Sequence, residues 1–432
     1  MGYTDLGWLQ GATLSCSVTS LGEFPLHQQQ SAMDQVRRSA GEALWGMCAA
    51  DAMSMPVHWY YTVQDIKNDF GGWIACFQSP RSRHPSSILT LSNTAGSGRS
   101  RSSVQRPPVV GSVILHDKLK FWKLPGGSVH YHQGLPAGGN TLNMLCTLRV
   151  ARTLTEGGSS SVGGSGSVGG SWSAADRLAR AAVLADYVRF MTTPGSHDDT
   201  YAESFHRAFF SDWQETRPTS PSEVLEFAER RYKEKMSGLI ADSQLDAIGC
   251  LPMAIPFLLL SAHATEDQAV TAAVEFVRLT HPHPRLDGCV SLYARALHAA
   301  LNGACIRQLS EAALRSPALD VWDTCQHYMH RASRFPGSSE ERLQVHQSAV
   351  AALGLACYTK GALSSLFYLA HEFHDDLRGG ILANTNCGGE NCNRGAALGA
   401  LLGAGRVGGA VPQEWKEGLV NAREIRAILE NM

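Results

Sequence analysis

The sequence has almost no net charge, and no segment long and apolar enough to cross a membrane. Its 432 residues include 37 basic and 39 acidic side chains, a formal net charge of −2. A chain without a basic field lacks the electrostatic attraction that nucleic acids and anionic membranes require. The longest apolar run, residues 253–262, contains Pro256 and is half the length of a spanning helix, which needs roughly 20 residues. We therefore expect neither a nucleic-acid nor a membrane partner.

Targeting signals and disulfide patterns are also missing. The first 30 residues contain no lysine or arginine and no clean apolar segment, unlike a signal peptide. The 11 cysteines show no framework spacing, and neither Cys387 nor Cys392 lies in a Cys-x-x-Cys pair. Such cysteines are typical of reduced, mostly buried thiols. We expect a cytoplasmic protein, with no zinc site formed by Cys387 and Cys392.

Helical periodicity dominates what is present. Hydrophobic residues make up 44% of the chain, enough for a large core, and alternation typical of strands is rare. We predict an all-α fold: one compact multi-helix domain over residues 34–432, preceded by an irregular tail over residues 1–33. Apolar spacing predicts helices at residues 37–55, 142–155, 174–188, 223–237, 243–262, 266–280, 287–303, 341–357, 363–373 and 414–430.

Two stretches interrupt the helical pattern. Residues 92–112 are rich in serine, glycine and arginine, and residues 156–173 are a Gly/Ser segment with almost no hydrophobic content. Segments of this composition cannot bury enough apolar surface to fold. We predict that both are disordered insertions within the helical domain.

A polar, glycine-rich loop enters a helix near the end of the chain, at residues 384–395. Gly388 and Gly389 permit positive φ and close approach of a ligand. Glu390 falls in the first helical turn, where a carboxylate suits the helix dipole. A ligand-binding loop and an ordinary capped core helix explain this pattern about equally well.

A second polar, glycine-rich loop covers residues 131–143 and also leads into a helix. Both loops can present backbone N–H groups to a phosphate, a weak signal when taken singly. Within this loop His132 has amide and glycine neighbours, although a lone histidine there, like His58, is more often a structural residue. Asn140 is the corresponding polar candidate.

Adjacent carboxylates, Asp198 and Asp199, stand between His197 and Thr200. Like charges this close repel, so two ionised groups need solvent or a cation. Carboxylates, a hydroxyl and water suit Mg²⁺, whereas a solvated capping cluster explains the same residues. Glu203, four residues after Asp199, either completes an acidic face or is surface charge.

Asp51 is the other acidic candidate. It lies inside the small-residue pattern at residues 37–55, which predicts a buried helix. An ionised carboxylate in that setting must be paired or must bind something.

Together, three motifs resemble those of the ADP-ribosylglycohydrolase family. Residues 46–53 resemble its GxxxGDA-type opening helix, residues 197–200 its TDDT metal motif, and residues 386–393 its NxGGDTDT motif. The resemblance runs from about residue 37 to about residue 410. The loop beginning at Tyr131 and the Gly-Gly-Glu-Asn-Cys sequence look closest to the branch that includes the J-crystallins and selenoprotein J.

The resemblance implies an all-α fold, a two-magnesium centre, and hydrolysis of ADP-ribose from a protein side chain or a small-molecule conjugate. In that chemistry an acidic residue helps to activate water. By this resemblance the metal ligands are His197, Asp198, Asp199, Thr200 and Glu390, and the catalytic residues are Asp199 and Glu390. The residues expected to bind substrate are Asp51, His132, Asn140, Gly388, Gly389, Cys392 and Arg394.

The second motif departs from the family pattern. Cys392 stands where the family has a second acid, and Asn393 stands where it has a threonine. A thiol is a poor ligand for Mg²⁺. Arg394 lies four residues after Glu390, a spacing that allows the two side chains to pair along the helix and to fill the place of a second cation. We therefore expect one Mg²⁺ at most, or none.

Three functions remain open at this point. The first is a hydrolase with an altered metal centre, acting on a small-molecule or protein-linked ADP-ribosyl-type ligand. The second is a catalytically inactive binding or structural protein, as the crystallin relatives suggest. The third is thiol chemistry at Cys392, whose pKa a helix N-terminus and Arg394 would lower, set against a buried inert cysteine.

Overall fold

The computed structural model describes residues 26–99, 107–159, 177–405 and 407–432. Within these ranges the chain forms helices joined by turns and 3₁₀ segments, with no β-strand, and the all-α prediction is confirmed. The helices are α1 (Leu26–Ser54), α2 (Val63–Phe70), α3 (Leu119–Trp122), α4 (Leu142–Ser159), α5 (Arg177–Thr192), α6 (Ser204–Trp213), α7 (Pro221–Ser237), α8 (Ile255–Leu260), α9 (Glu266–Thr280), α10 (Leu286–Leu301), α11 (Ile306–Arg315), α12 (Trp322–Ala332), α13 (Glu340–Leu353), α14 (Thr359–Glu372), α15 (Leu377–Asn386), α16 (Asn391–Ala404), α17 (Gln413–Gly418) and α18 (Ala422–Glu430).

Helices α1 and α16 pack against each other with almost no space between their backbones. A Cβ atom added to Gly46 would lie 2.3 Å from the carbonyl oxygen of Gly399, and a Cβ on Gly403 would lie 2.4 Å from that of Glu42. Such an approach requires glycine on both helices. Every residue of α16 is buried, which explains its run of small residues. The packing brings the start of α16 beside Asp51 of α1.

Proline breaks the helix predicted at residues 243–262. This stretch forms 3₁₀ turns and the short helix α8. Pro252 and Pro256 each stand at the start of a new turn, where the missing N–H of proline costs nothing. The helix predicted at residues 414–430 is also divided, into α17 and α18, although it contains no proline.

The predicted boundaries of the tail and insertions shift in the structure. Helix α1 begins at Leu26, so residues 26–33 of the predicted tail are helical, while residues 1–25 lie outside the described residues. Helix α4 continues to Ser159, and residues 160–173 of the second insertion also lie outside. Helices α2, α3, α6, α11, α12 and α15 were not predicted.

The described ends of the first predicted insertion make specific contacts. The buried guanidinium of Arg207, on α6, donates hydrogen bonds to the carbonyl oxygens of Asn93, Gly96 and Gly98. Residues 93–98 are therefore held against α6. Residues 100–106 of this insertion lie outside the described ranges.

Membrane insertion finds no support in these helices. Among the described residues, every helix is either too short or too polar to traverse a lipid bilayer.

Candidate functional site

The glycine-rich loop between α15 and α16 lies directly on the segment that follows α1. Gly388 and Gly389 have φ values of 66° and 65°, as predicted. A Cβ atom on Gly388 would lie 2.3 Å from the carbonyl oxygen of Tyr60. The Gly389 N–H donates to that oxygen at 2.8 Å, and the Trp59 N–H donates to the Gly389 carbonyl at 2.8 Å. The glycines thus allow two backbones to meet; their predicted contact with substrate stays a prediction.

Glu390 follows this loop as the N-cap of α16. Its buried carboxylate contacts His58 through Oε1 (3.0 Å to Nε2) and accepts the indole N–H of Trp59 at Oε2 (2.9 Å). Burial opposes ionisation, yet His58 and the hydrogen bonds hold the pKa of Glu390 below its ordinary value. Trp59 has a φ of 64°, a conformation rare outside glycine. A bulky aromatic residue is therefore held in a strained position over an ionised carboxylate.

A continuous line of four side chains runs from Glu390 to Asp199. Nδ1 of His58 lies 2.7 Å from Nε2 of His132, and Nδ1 of His132 lies 2.8 Å from Oδ1 of Asp199. Oδ2 of Asp199 accepts the backbone N–H of Leu142 at 2.6 Å. Burial works against the charged form, but His132 and these hydrogen bonds keep the pKa of Asp199 below its ordinary value. All four side chains are buried.

Asp51 lies close to this line and is fully paired. Oδ1 accepts from the Thr141 hydroxyl at 2.7 Å, and Oδ2 accepts from the side-chain amide of Asn140 and the backbone N–H of Thr141, both at 2.9 Å. Burial raises the pKa of Asp51, and the hydrogen bonds partly oppose this. Asp51 and Asn140 therefore join α1 to the start of α4, and their predicted role in substrate binding stays a prediction.

The five predicted metal ligands occupy three different environments. His197 and the exposed Asp198 line a surface cavity of about 840 Å³. The Thr200 hydroxyl donates to the Tyr131 carbonyl at 2.6 Å and accepts the backbone N–H of residue 133 at 2.9 Å. The two remaining carboxylates, Asp199 and Glu390, lie at opposite ends of the histidine pair.

The donor set at the buried centre fits Mg²⁺ poorly. Every oxygen of Asp199 and Glu390 already accepts a hydrogen bond. In the described ranges, one set of three side chains has its ligand atoms within 4.8 Å of one another: His58, His132 and Cys392. These donors are nitrogen and sulfur, whereas Mg²⁺ takes oxygen. The expectation of one Mg²⁺ at most stays a prediction.

Glu203 is a residue whose place in the site the sequence did not reveal. It is the N-cap of α6, and its Oε1 accepts the side-chain amide of Asn393 at 2.8 Å. The same amide nitrogen lies 3.1 Å from Oε1 of Glu390, so Asn393 joins two carboxyl groups. Burial, together with the charge of Glu390, raises the pKa of Glu203 to about 8. The pKa values of the two groups are therefore shifted in opposite directions, and Glu203 is the member of the pair that holds a proton more readily.

An open cleft of about 780 Å³ lies on the outer side of Trp59. Tyr201 and Ser204, two residues before and one residue after Glu203, both line it, whereas Glu203 itself is not among the lining residues. Aromatic faces stack on planar rings, and arginine suits phosphate. The aromatic and arginine residues that line the cleft are Trp59, Tyr61, Tyr131, Tyr201, Tyr358, Arg99 and Arg207.

One prediction about the end of the second motif is wrong, and the alternative of thiol chemistry at Cys392 finds no support. Arg394 does not pair with Glu390; its guanidinium donates to Asn384 Oδ1 at 2.8 Å and to the Gly388 carbonyl at 3.0 Å, and so holds the loop. Burial, reinforced by neighbouring carboxylates, raises the pKa of Cys392 well above its ordinary value. A thiol in this setting is not activated as a nucleophile.

Comparison with known proteins places the chain in a family. The sequence profile described as ADP-ribosylglycohydrolase matches residues 32–432. A solved structure described as an ADP-ribosylglycohydrolase-related protein complex is similar at 16% identity and a TM-score of 0.49, over 92% of this chain and 98% of that chain. No curated protein matches the sequence. Because the profile covers nearly the whole chain, this protein belongs to the ADP-ribosylglycohydrolase family.

Proposed function

We propose that the protein is a hydrolase that cleaves a glycosidic bond of an ADP-ribosyl-type substrate, with a centre altered from that of its relatives. Membership of the family supports this activity at the level of the reaction class. The observation that carries it is the pair of carboxyl groups, Glu203 and Glu390, joined by the side-chain amide of Asn393, with the pKa of Glu203 raised and that of Glu390 lowered. The general acid of glycoside hydrolysis is a carboxyl group with a raised pKa, and burial with a neighbouring carboxylate provides such a pKa.

In this proposal Glu203 transfers the proton. It donates its proton to the leaving atom as the bond to the anomeric carbon breaks, and then accepts a proton from the water that attacks that carbon. Burial, followed by the charge of Glu390, raises the pKa of Glu203 and so favours its protonated form beforehand. The indole of Trp59 is hydrogen-bonded to Glu390 and lies between Glu390 and the cleft. In this proposal Glu390 and Asp199, both predicted to be catalytic, do not touch the substrate. They influence the reaction through their charge and by positioning neighbouring side chains.

The cleft beside Trp59 suits an ADP-ribosyl group. Its exposed aromatic residues, Tyr61 and Tyr358, offer faces on which an adenine ring can stack. Arg99, exposed in the cleft, matches the charge of a diphosphate. We propose that the ligand lies here with its anomeric carbon toward Glu203.

Release of ADP-ribose tests this proposal directly. The full chain is incubated with ADP-ribosylated protein and with small ADP-ribose conjugates, in buffers containing Mg²⁺, Mn²⁺ or a chelator. We expect turnover that Glu203→Gln removes and that Glu215→Gln, a change at an exposed glutamate, leaves intact. Absence of turnover on every substrate would contradict the proposal.

One observation favours the inactive alternative. Both catalytic carboxylates predicted from the motifs, Asp199 and Glu390, are buried, with all their oxygens engaged. A binding protein retains the cleft without the chemistry, and a structural, crystallin-like protein retains only the scaffold. Calorimetry with ADP-ribose separates the two: binding without turnover identifies the former, and neither binding nor turnover the latter.

A further inference from the structure

The contact between His58 and His132 brings together two ring nitrogens that cannot both present lone pairs to each other. The outer nitrogen of each ring lies against a carboxylate: Nε2 of His58 against Glu390, and Nδ1 of His132 against Asp199. If each outer nitrogen carries a proton for its carboxylate, two neutral rings present two lone pairs to each other, because neutral imidazole has only one N–H. These inner nitrogens lie 2.7 Å apart. Either a proton shared by the two rings or a metal ion must then lie between them.

A third side chain faces the same point. The sulfur of Cys392 and one nitrogen of each imidazole lie within 4.8 Å of one another. The thiol makes only a weak hydrogen bond, at 3.8 Å, to the backbone carbonyl of Asp51. Cys387, in the same loop and equally buried, is not part of this cluster.

The two carboxylates match the supporting residues of histidine metal sites. A metal-binding histidine nearly always donates its other ring N–H to a carboxylate, a carbonyl or water, and this hydrogen bond fixes the tautomer and the ring orientation. Glu390 and Asp199 hold His58 and His132 in this way. Glu390 and Asp199, which match the family's magnesium motifs, thus contact the histidines and not the point between them.

We propose that His58, His132 and Cys392 form a buried site for a thiophilic cation such as Zn²⁺, with Glu390 and Asp199 orienting the histidine ligands. Two nitrogens and one sulfur are a ligand set of zinc, not of magnesium. Tetrahedral ligands at about 2.1 Å from zinc lie about 3.4 Å apart, so binding moves the imidazoles apart by roughly 0.7 Å. This site is independent of the proposed hydrolase activity.

Binding must release a proton from Cys392. The thiol loses its proton to solvent as the sulfur–metal bond forms, and neither sulfur nor metal changes oxidation state. Burial raises the pKa of this thiol, so the proton is present before metal arrives. Affinity for Zn²⁺ should consequently increase with pH.

Metal binding to the full-length protein tests the site without reference to activity. The protein is purified with reductant, treated with a chelator, and titrated with Zn²⁺ or Co²⁺ in excess Mg²⁺. We expect one ion per chain, no displacement by Mg²⁺, and a thiolate-to-cobalt charge-transfer band. Cys392→Ser and His132→Gln should weaken Zn²⁺ binding at least about tenfold, a loss comparable to that of an outer-shell partner. Cys387→Ser is the matched control and should bind as the wild type.

Two results would overturn the proposal. One is a folded wild type that takes up neither Zn²⁺ nor Co²⁺ stoichiometrically; the histidines would then share a proton. The other is binding that persists unchanged in both Cys392→Ser and His132→Gln. If a variant does not fold by circular dichroism, the wild-type cobalt spectrum decides, because a bound ion without a thiolate band excludes Cys392 as a ligand.

Discussion

Nδ1 of His58 lies 2.7 Å from Nε2 of His132. This contact joins the two halves of the site, because His58 belongs to the segment against the α15–α16 loop and His132 to the loop before α4. Through it, Glu390 of one motif is linked to Asp199 of the other. A histidine pair thus occupies the space between two carboxylates that the family resemblance assigns to metal.

The proton on Glu203 makes activity depend on pH. If Glu203 donates a proton to the leaving group, the rate falls as pH rises through its pKa of about 8. Glu203→Gln removes this descending limb together with a factor of about 10²–10⁴ in rate. Measuring kcat/KM between pH 6 and 9.5 checks this. A profile without loss above pH 8 would remove Glu203 from the proton-transfer role.

The same group makes stability depend on pH. The pKa of Glu203 is about 8 in the folded state, against 4.5 ordinarily, so between these values the folded state binds more protons than the unfolded state. The free energy of unfolding therefore decreases as pH rises through this window. Glu203→Gln lacks this contribution and should gain stability relative to the wild type from pH 5 to pH 8. Urea denaturation of both proteins across this range measures the difference.

Asp199, which is buried at one end of the histidine pair, should contribute more to stability than its exposed neighbour Asp198. Asp199→Asn turns one of the two oxygens that face His132 and the backbone N–H of Leu142 into an NH₂ group. We expect a loss of about 1–3 kcal/mol, because a buried donor is left without an acceptor. Asp198→Asn changes an exposed carboxylate and should alter the free energy of unfolding by less than about 0.5 kcal/mol. Equal losses of stability in both variants would contradict the finding that Asp199 is buried and paired while Asp198 is exposed.

Because the pKa of Asp199 is lowered, the difference in stability between the wild type and Asp199→Asn should depend on pH. Its stabilising effect is fully present above the ordinary carboxyl pKa of about 3.9 and disappears as pH falls through the lower folded value. The difference between the wild type and Asp199→Asn should therefore shrink below about pH 4. Acid titration of both proteins, followed by circular dichroism, measures it.

Two glycines with positive φ allow the cost of backbone strain to be measured separately from the cost of a steric clash. Gly389→Ala combines positive φ with a Cβ only 2.3 Å from the Leu355 carbonyl oxygen, whereas Gly71→Ala has a similar φ of 75° and nothing within 4 Å. We expect Gly71→Ala to cost about 1 kcal/mol and Gly389→Ala to cost at least about 3 kcal/mol, because the loop must move. Thermal unfolding of the two variants provides the comparison. Similar losses would mean that the loop relaxes around the added methyl group.

Local patterns in the sequence were sufficient to predict the fold class and most long helices. Helix α9 lies at the predicted residues 266–280, since its apolar spacing and its cap depend only on neighbouring residues. Failures occurred where local signals were weak or conflicting. The glycines of α15 lower its helix propensity, and packing compensates for that loss; prolines interrupt residues 243–262.

The sequence by itself determined the all-α fold and the family motifs around Asp199 and Glu390, together with the loss of a hard ligand at Cys392. Only the tertiary structure decided how these residues are used. His58 lies between them with His132, and Glu203 shares Asn393 with Glu390. Such contacts join residues far apart in the chain, and helical periodicity carries no information about which distant side chains will meet. Burial then sets their protonation, since removing water raises the pKa of one glutamate while a histidine lowers that of the other.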